Sequence, residues 1–176
     1  MRSCLRAMSF LTRCPAPGFA FAGGPHPLGG DAAMFPLVGV VVALPSCILL
    51  LALSSVDMTP LVSATAAILL LVALTGALHE DGLADSADAL FGSAGRERAL
   101  DIMKDSRIGT YGALALIGSL CIRIALMTEL AVRSPWWASA SLMGAAAASR
   151  GAMAWTWSSL PSARPDGLAT QLGNPS

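Results

Sequence analysis

Four stretches of this chain are apolar and each runs for about the length of a membrane crossing. They are residues 34–53, 61–78, 111–132 and 136–157. A helix needs roughly 20 apolar residues to cover about 30 Å of hydrocarbon. Inside lipid every backbone N–H and C=O must be paired within the protein, so such runs fold as helices. The predicted class is therefore all-α: a polytopic membrane helical bundle occupying residues 1–176 as one domain. Composition agrees, because 12% of residues are charged, about half of the roughly 25% usual in soluble domains.

The connections sharpen this expectation. The turn SSVDMTP is short enough to make the first two runs an antiparallel hairpin, and Ser134-Pro135 does the same for the last two. Pro45 lies inside the first run and predicts a kink there. The fourth run contains SASLMGAAAASRGA, small residues that suit close helix packing in lipid. The N-terminal MRSCLRAMSFLTRCP has an apolar stretch broken by Arg6 and Arg13, which argues against a signal peptide. It predicts an amphipathic helix at the membrane interface, with Arg2 and Arg6 toward headgroups. The Gly/Pro-rich residues 15–31 predict a loop.

Half of the formal charge is confined to residues 79–110, between the second and third runs. That segment holds seven of the eleven carboxylates and four of the eleven Lys/Arg residues. With four spans, Arg2, Arg6, Arg13, Arg164 and the four basic residues of this loop share one side, against Arg133 on the other. Basic residues stay on the cytoplasmic face, so the charged loop is expected there. Arg123, Glu129 and Arg150 fall within the spans and should face a polar cavity or a partner. Arg123 and Glu129 are six residues apart and do not pair with each other. A formal net charge of zero excludes the basic stripe of a nucleic-acid binder. Cys4, Cys14, Cys47 and Cys121 are scattered, without metal-ligand spacing.

Within the charged segment, Asp81, Asp85 and Asp88 are spaced i, i+4, i+7 and share one helix face. The segment is expected to continue the second span out of the bilayer. Three clustered carboxylates repel unless a cation lies between them. Hard oxygen ligands suit Mg²⁺, which takes one or two carboxylates and completes its shell with water and phosphate oxygens. A plain solvated acidic face is the competing reading. Gly82, Ala84, Ala87 and Ala89 would leave room beside the carboxylates. Gly92-Ser93-Ala94-Gly95 breaks the helix, residues 96–104 can form a second short one, and Lys104-Asp105-Ser106-Arg107 follows. An acidic face followed by a Lys/Arg cluster matches a metal-assisted phosphoryl-transfer site.

HEDGLADSADALFG followed by RERALDIMKDSRIGTYGALAL closely resembles the cobalamin synthase family, the adenosylcobinamide-GDP ribazoletransferases. FLTRCP, AAMFPLVGVVV and SRGAMA…LPSARPDGLA also look like that family, so the resemblance runs from about Phe10 to the C-terminus. It implies a multi-span enzyme of the cell inner membrane that needs Mg²⁺. The implied reaction joins α-ribazole, or its 5′-phosphate, to adenosylcobinamide-GDP and releases GMP. On that resemblance Asp81, Asp85 and Asp88, with Glu80 as a further ligand, would hold the metal. Lys104, Arg107, Ser106 and Arg13 would bind substrate, with Asp105 or His79 as the catalytic base. A homo-oligomer is among the arrangements left open.

The family pattern near the end is closer to YARxxGLG, from which Ser162 and Ala169 depart. Family members continue with further apolar segments, so LATQLGNPS is expected to be a truncated or divergent end, and an inactive truncated membrane protein is one alternative. Other intramembrane Asp/Mg²⁺ transferases are another. Asp81-x3-Asp85-x2-Asp88 does not match the NDxxxD or DDxxD of prenyltransferases. The Asp81-Gly82 start resembles the DGxxAR of CDP-alcohol phosphotransferases, but Ala84 is followed by Asp85 rather than Arg.

Overall fold

The computed structural model describes residues 1–22, 27–92, 95–164, 167–173 and 175. Among them the regular structure is helical, with no strand, as the apolar runs require. The α-helices are α1 (Arg2–Leu11), α2 (Phe35–Ser55), α3 (Pro60–Thr75), α4 (Leu78–Gly92), α5 (Arg96–Ile102), α6 (Thr110–Arg133), α7 (Pro135–Ser159) and α8 (Leu168–Gln171). The segment expected as a loop contains two short 3₁₀ turns, Gly18–Phe21 and Leu28–Met34. Ser93 and Ala94 of the expected helix break lie outside the described residues.

Prolines set the starts of α2, α3 and α7, where a missing N–H costs nothing. α2 then continues through Pro45 to Ser55. The stretch Leu28–Ser55 and helix α6 are each long and apolar enough to cross a membrane. Both carry exposed apolar residues along their outer faces, among them Leu37, Leu44 and Ile48 on α2 and Leu114, Ile117, Ile122 and Leu126 on α6. α7 has 25 residues, but Ser, Gly, Ala and Arg150 dilute its hydropathy, and it is not among the helices that are apolar enough. The four expected runs are thus helical, the second only as far as Thr75, and two of them meet both criteria alone.

α7 owes its place to packing. It lies against α2, where a Cβ added to Gly39 would run into the backbone carbonyl of Ala146. The small-residue run of α7 therefore lets two backbones touch, as its composition predicts. Phe35 of α2 stacks between Phe10 of α1 and Trp157 of α7, with both centroid distances 6.2 Å. Gly39→Val should wedge this contact apart at a cost of about 1–3 kcal/mol. Thermal unfolding in detergent, followed by circular dichroism, should show a lower midpoint; an unchanged midpoint would mean the two helices do not meet at Gly39.

The largest departure from the sequence reading is at the end of α3. The second run does not extend to Leu78 and does not carry the acidic segment straight out of the bilayer. α3 ends at Thr75, and α4 leaves it at 87°. Gly76 and Ala77 both take left-handed backbone, with φ of 63° and 59°. Gly76 N–H bonds to the carbonyl of Ala73, and Ala77 N–H to that of Val72. This is a Schellman-type ending that satisfies the last carbonyls of the helix. Arg13 packs over the bend so closely that a side chain at Gly76 would collide with it.

The N-terminal helix forms as expected, but Arg6 does not face headgroups. Its guanidinium donates to both carboxylate oxygens of Asp31 at 2.6 and 2.7 Å and to the carbonyl of Ala20. Asp31 is 3% exposed, and a carboxylate buried that far needs a paired cation. Arg6 therefore clamps α1 to the 3₁₀ segment.

Candidate active site

The bend at Gly76–Ala77 brings α4 alongside the first half of α6. Asp88 makes the join. Buried in that contact, it accepts from Gly109 N–H at 2.7 Å and from Gly112 N–H at 2.8 Å. These amides lie at the start of α6, where the helix leaves N–H groups without internal partners, and its dipole favours a negative charge there. The close fit excludes side chains at both glycines, since a Cβ on either would collide with the carboxylate of Asp88. Ala84 and Ala87 are likewise buried in the packing of α4. Asp88 was expected in a metal-binding trio. The structure commits both its oxygens to holding α6 instead.

Asp81 and Asp85 remain on the open side of α4. They line a cavity of about 440 Å³ together with Lys104, Asp105, Ser106 and Arg107. The segment after α5 thus folds back over the acidic helix, and the KDSR residues share one space with the aspartates. Asp81 also lines a second cavity of about 430 Å³ with Arg13. Burial first, then the negative charges of Asp81 and Asp88, push the Asp85 carboxyl above its ordinary value. A cation beside it would relieve that repulsion.

The other expected site residues separate. Asp105 accepts from Arg107 Nε at 3.0 Å and from Nη2 at 2.6 Å, and its Oδ1 also takes the Arg107 backbone N–H. The Arg107 side chain holds the Asp105 carboxyl down to about 2, which makes it a weak base in this arrangement. Glu80 touches the same cavity, but its Oε1 accepts from Arg123 Nη1 at 3.0 Å. The pairing ties α4 to α6 and spends an oxygen expected for the metal. His79 does not line the Asp81–Asp85 cavity. It faces a separate one of about 360 Å³, enclosed by α3, α4, α6 and α7, with Glu80, Arg123 and Arg150.

Among the described residues no group of three or more His, Cys, Asp or Glu is placed to hold a metal ion. Asp81 and Asp85 nevertheless suit Mg²⁺ as a two-carboxylate donor set completed by water and phosphate oxygens. The charges of Arg123 and Arg150 were visible in the sequence as costly ions within spans. Their placement was not, because the partner of Arg123 lies 43 residues away on a helix whose direction the bend decides.

Comparison with known proteins adds an independent line. A family model described as cobalamin-5-phosphate synthase matches residues 3–175. A curated protein of Sinorhizobium medicae named adenosylcobinamide-GDP ribazoletransferase is 46% identical over 171 residues, covering 97% of this chain and 65% of the relative. Proteins of the same name from Rhizobium johnstonii and Brucella anthropi are 47% and 45% identical, each with 97% of this chain and 66% of the relative covered. The chain therefore spans about two thirds of the length of these relatives. No solved structure matches.

Proposed function

The chain belongs to the cobalamin-5-phosphate synthase family, and from that premise we propose that it carries the phosphoryl-transfer site of an adenosylcobinamide-GDP ribazoletransferase. The observation that carries this reading is the cavity in which Asp81 and Asp85 face Lys104, Ser106 and Arg107. It pairs a carboxylate face suited to a cation with donors suited to phosphate oxygens, the two halves that a pyrophosphate substrate requires.

In the proposed reaction a ribose hydroxyl of α-ribazole, or of its 5′-phosphate, attacks the pyrophosphate phosphorus nearer the cobinamide. An O–P bond forms to that hydroxyl oxygen, and the bond to the bridging oxygen breaks, so GMP departs with the bridging oxygen. Where the 5′-phosphate is the substrate, the attacking group is a ring hydroxyl. Mg²⁺, held by Asp81 and Asp85, would supply charge neutralisation on the phosphate oxygens. Lys104 presents a point charge, Arg107 the Nη1–Nη2 edge of a guanidinium whose Nε–Nη2 edge Asp105 holds, and Ser106 a hydroxyl donor. Arg13 stands at the far side of Asp81, where it would meet an extended substrate. Asp105 orients Arg107 rather than taking the proton, which leaves to water in the open cavity.

The bilayer setting follows from the same chain. Trp136 and Trp137 at the start of α7 and Trp155 near its end are all about 70% exposed. They lie 19 residues apart at most, about 28 Å along a helix, which matches aromatic belts at the two faces of a membrane. That spacing supports α7 as a span in spite of its modest hydropathy. We place the charged loop on the cytoplasmic side of the inner membrane, on the Lys/Arg imbalance.

The test is GMP release from adenosylcobinamide-GDP by the purified chain in lipid nanodiscs, with α-ribazole and with its 5′-phosphate as acceptors. Release that requires both an acceptor and Mg²⁺ is expected. Release without any acceptor would mean hydrolysis instead, and no release from either pair would overturn the assignment for this chain.

A further inference from the structure

The cavity that His79 faces holds groups that the proposed transfer does not use. Arg150 is 8% exposed, and its Nη1 donates to the hydroxyl of its neighbour Ser149 at 3.0 Å. Arg123 lines the same space and pairs with Glu80. Two guanidiniums thus share one carboxylate inside apolar walls that include Ile68 and Leu142. Two further polar atoms there, His79 Nε2 and Glu80 Oε2, are buried without a hydrogen-bond partner among the described residues. Unpaired polar atoms cost free energy when buried, and an excess positive charge in an apolar setting costs more. Both costs disappear if an anion with several oxygens enters.

We propose that this cavity binds a phosphate-type oxyanion, at a site distinct from the Asp81–Asp85 cavity. A tetrahedral phosphate monoester offers acceptor oxygens to Arg150, Arg123 and His79 Nε2. In its singly protonated form it also has an O–H to donate to Glu80 Oε2, which neither a carboxylate nor sulfate can supply at neutral pH. Its single negative charge balances the excess of one guanidinium. Entry is from the side of the bundle, where Ala145 and Ser149 line the cavity and are exposed. Arg150 lies five residues before the exposed Trp155 on α7, about 7–8 Å along the axis. The mouth, at Ser149 and Ala145, lies about 9–15 Å along α7 from Trp155, so in a bilayer a lipid monoester headgroup reaches it from the side, and a soluble phosphate ester reaches it only where lipid does not cover that face.

The inference is independent of the transferase reading, and its test contains no corrinoid. Thermal unfolding of the purified chain in maltoside micelles is measured at constant ionic strength. One arm adds inorganic phosphate against chloride, and the other adds phosphatidic acid against phosphatidylcholine. A saturable rise in the midpoint is expected. A rise with inorganic phosphate assigns the soluble source, and a rise with phosphatidic acid alone assigns the lipid. Arg150→Gln should weaken the apparent affinity by about tenfold or more, as expected for loss of a charge-assisted contact. Ala145→Trp, at the exposed mouth, blocks entry without touching the buried charges and should abolish the response even if Arg150→Gln fails to fold. No saturable rise in either arm, or a wild-type response in Ala145→Trp, would overturn the proposal.

Discussion

Asp85→Asn is expected to lower transfer turnover by about 10²–10³, the usual effect of removing one stabilising group from a developing phosphoryl charge. The side chain keeps its shape and loses its charge. Asp85 is half-buried on the wall of the cavity that it lines with Asp81, Lys104 and Arg107. Stability should change little, because like charges and burial already work against the ionised form. The Mg²⁺ concentration for half-maximal GMP release should rise, since one of two carboxylate donors becomes a neutral amide. Measuring GMP release against Mg²⁺ for variant and wild type checks both effects. Unchanged turnover with an unchanged Mg²⁺ requirement would remove Asp85 from the site and with it the two-carboxylate assignment.

Asp88→Ala should fail in the opposite way, through the fold. It strips the acceptors from Gly109 N–H and Gly112 N–H at the start of α6 and leaves a void where the carboxylate stood. Loss of a charged acceptor and of its interaction with the helix dipole should cost about 2–4 kcal/mol. Because the segment 104–107 leads straight into α6, its release should also loosen the wall that faces Asp81 and Asp85. The expected signature is a lower unfolding midpoint and faster amide exchange at Gly109 and Gly112, with reduced activity as a consequence. Asp88→Asn keeps one acceptor oxygen and should fall between the two. If Asp88→Ala kept wild-type stability while its Mg²⁺ requirement rose, Asp88 would belong with the metal ligands after all.

Asp85 and Asp88 show how far spacing carries. Both stand on the same face by sequence, at i+4 and i+7 from Asp81, yet one lines a cavity and the other latches a helix. Periodicity assigns residues to a face of their own helix and says nothing about which neighbour covers each part of that face. The cover here is the N-terminus of α6, and it reaches Asp88 because Gly109 and Gly112 allow backbone contact. Arg6 repeats the lesson. Its place on an amphipathic helix suggested headgroups, and a carboxylate 25 residues away claimed it.

The sequence by itself determined the helical class, the approximate extents of the apolar runs, the close approach of the small-residue helix and the concentration of charge in one segment. These are local properties. Chain length in lipid, backbone satisfaction and the absence of side-chain bulk act within a run, and each can be read from neighbouring residues. The motif residues of that segment also carry the family. Tertiary structure alone decided how the segment divides its charges. The 87° turn at Gly76–Ala77 swings α4 across α6, sending Asp81 and Asp85 toward the KDSR residues. The same turn sends His79 and Glu80 toward Arg123 and Arg150. The two left-handed residues fix that direction through hydrogen bonds to Ala73 and Val72, and Ala77 gives no sequence signal of such a turn. Which charges meet is a property of helix direction, and helix direction is set where two distant segments pack.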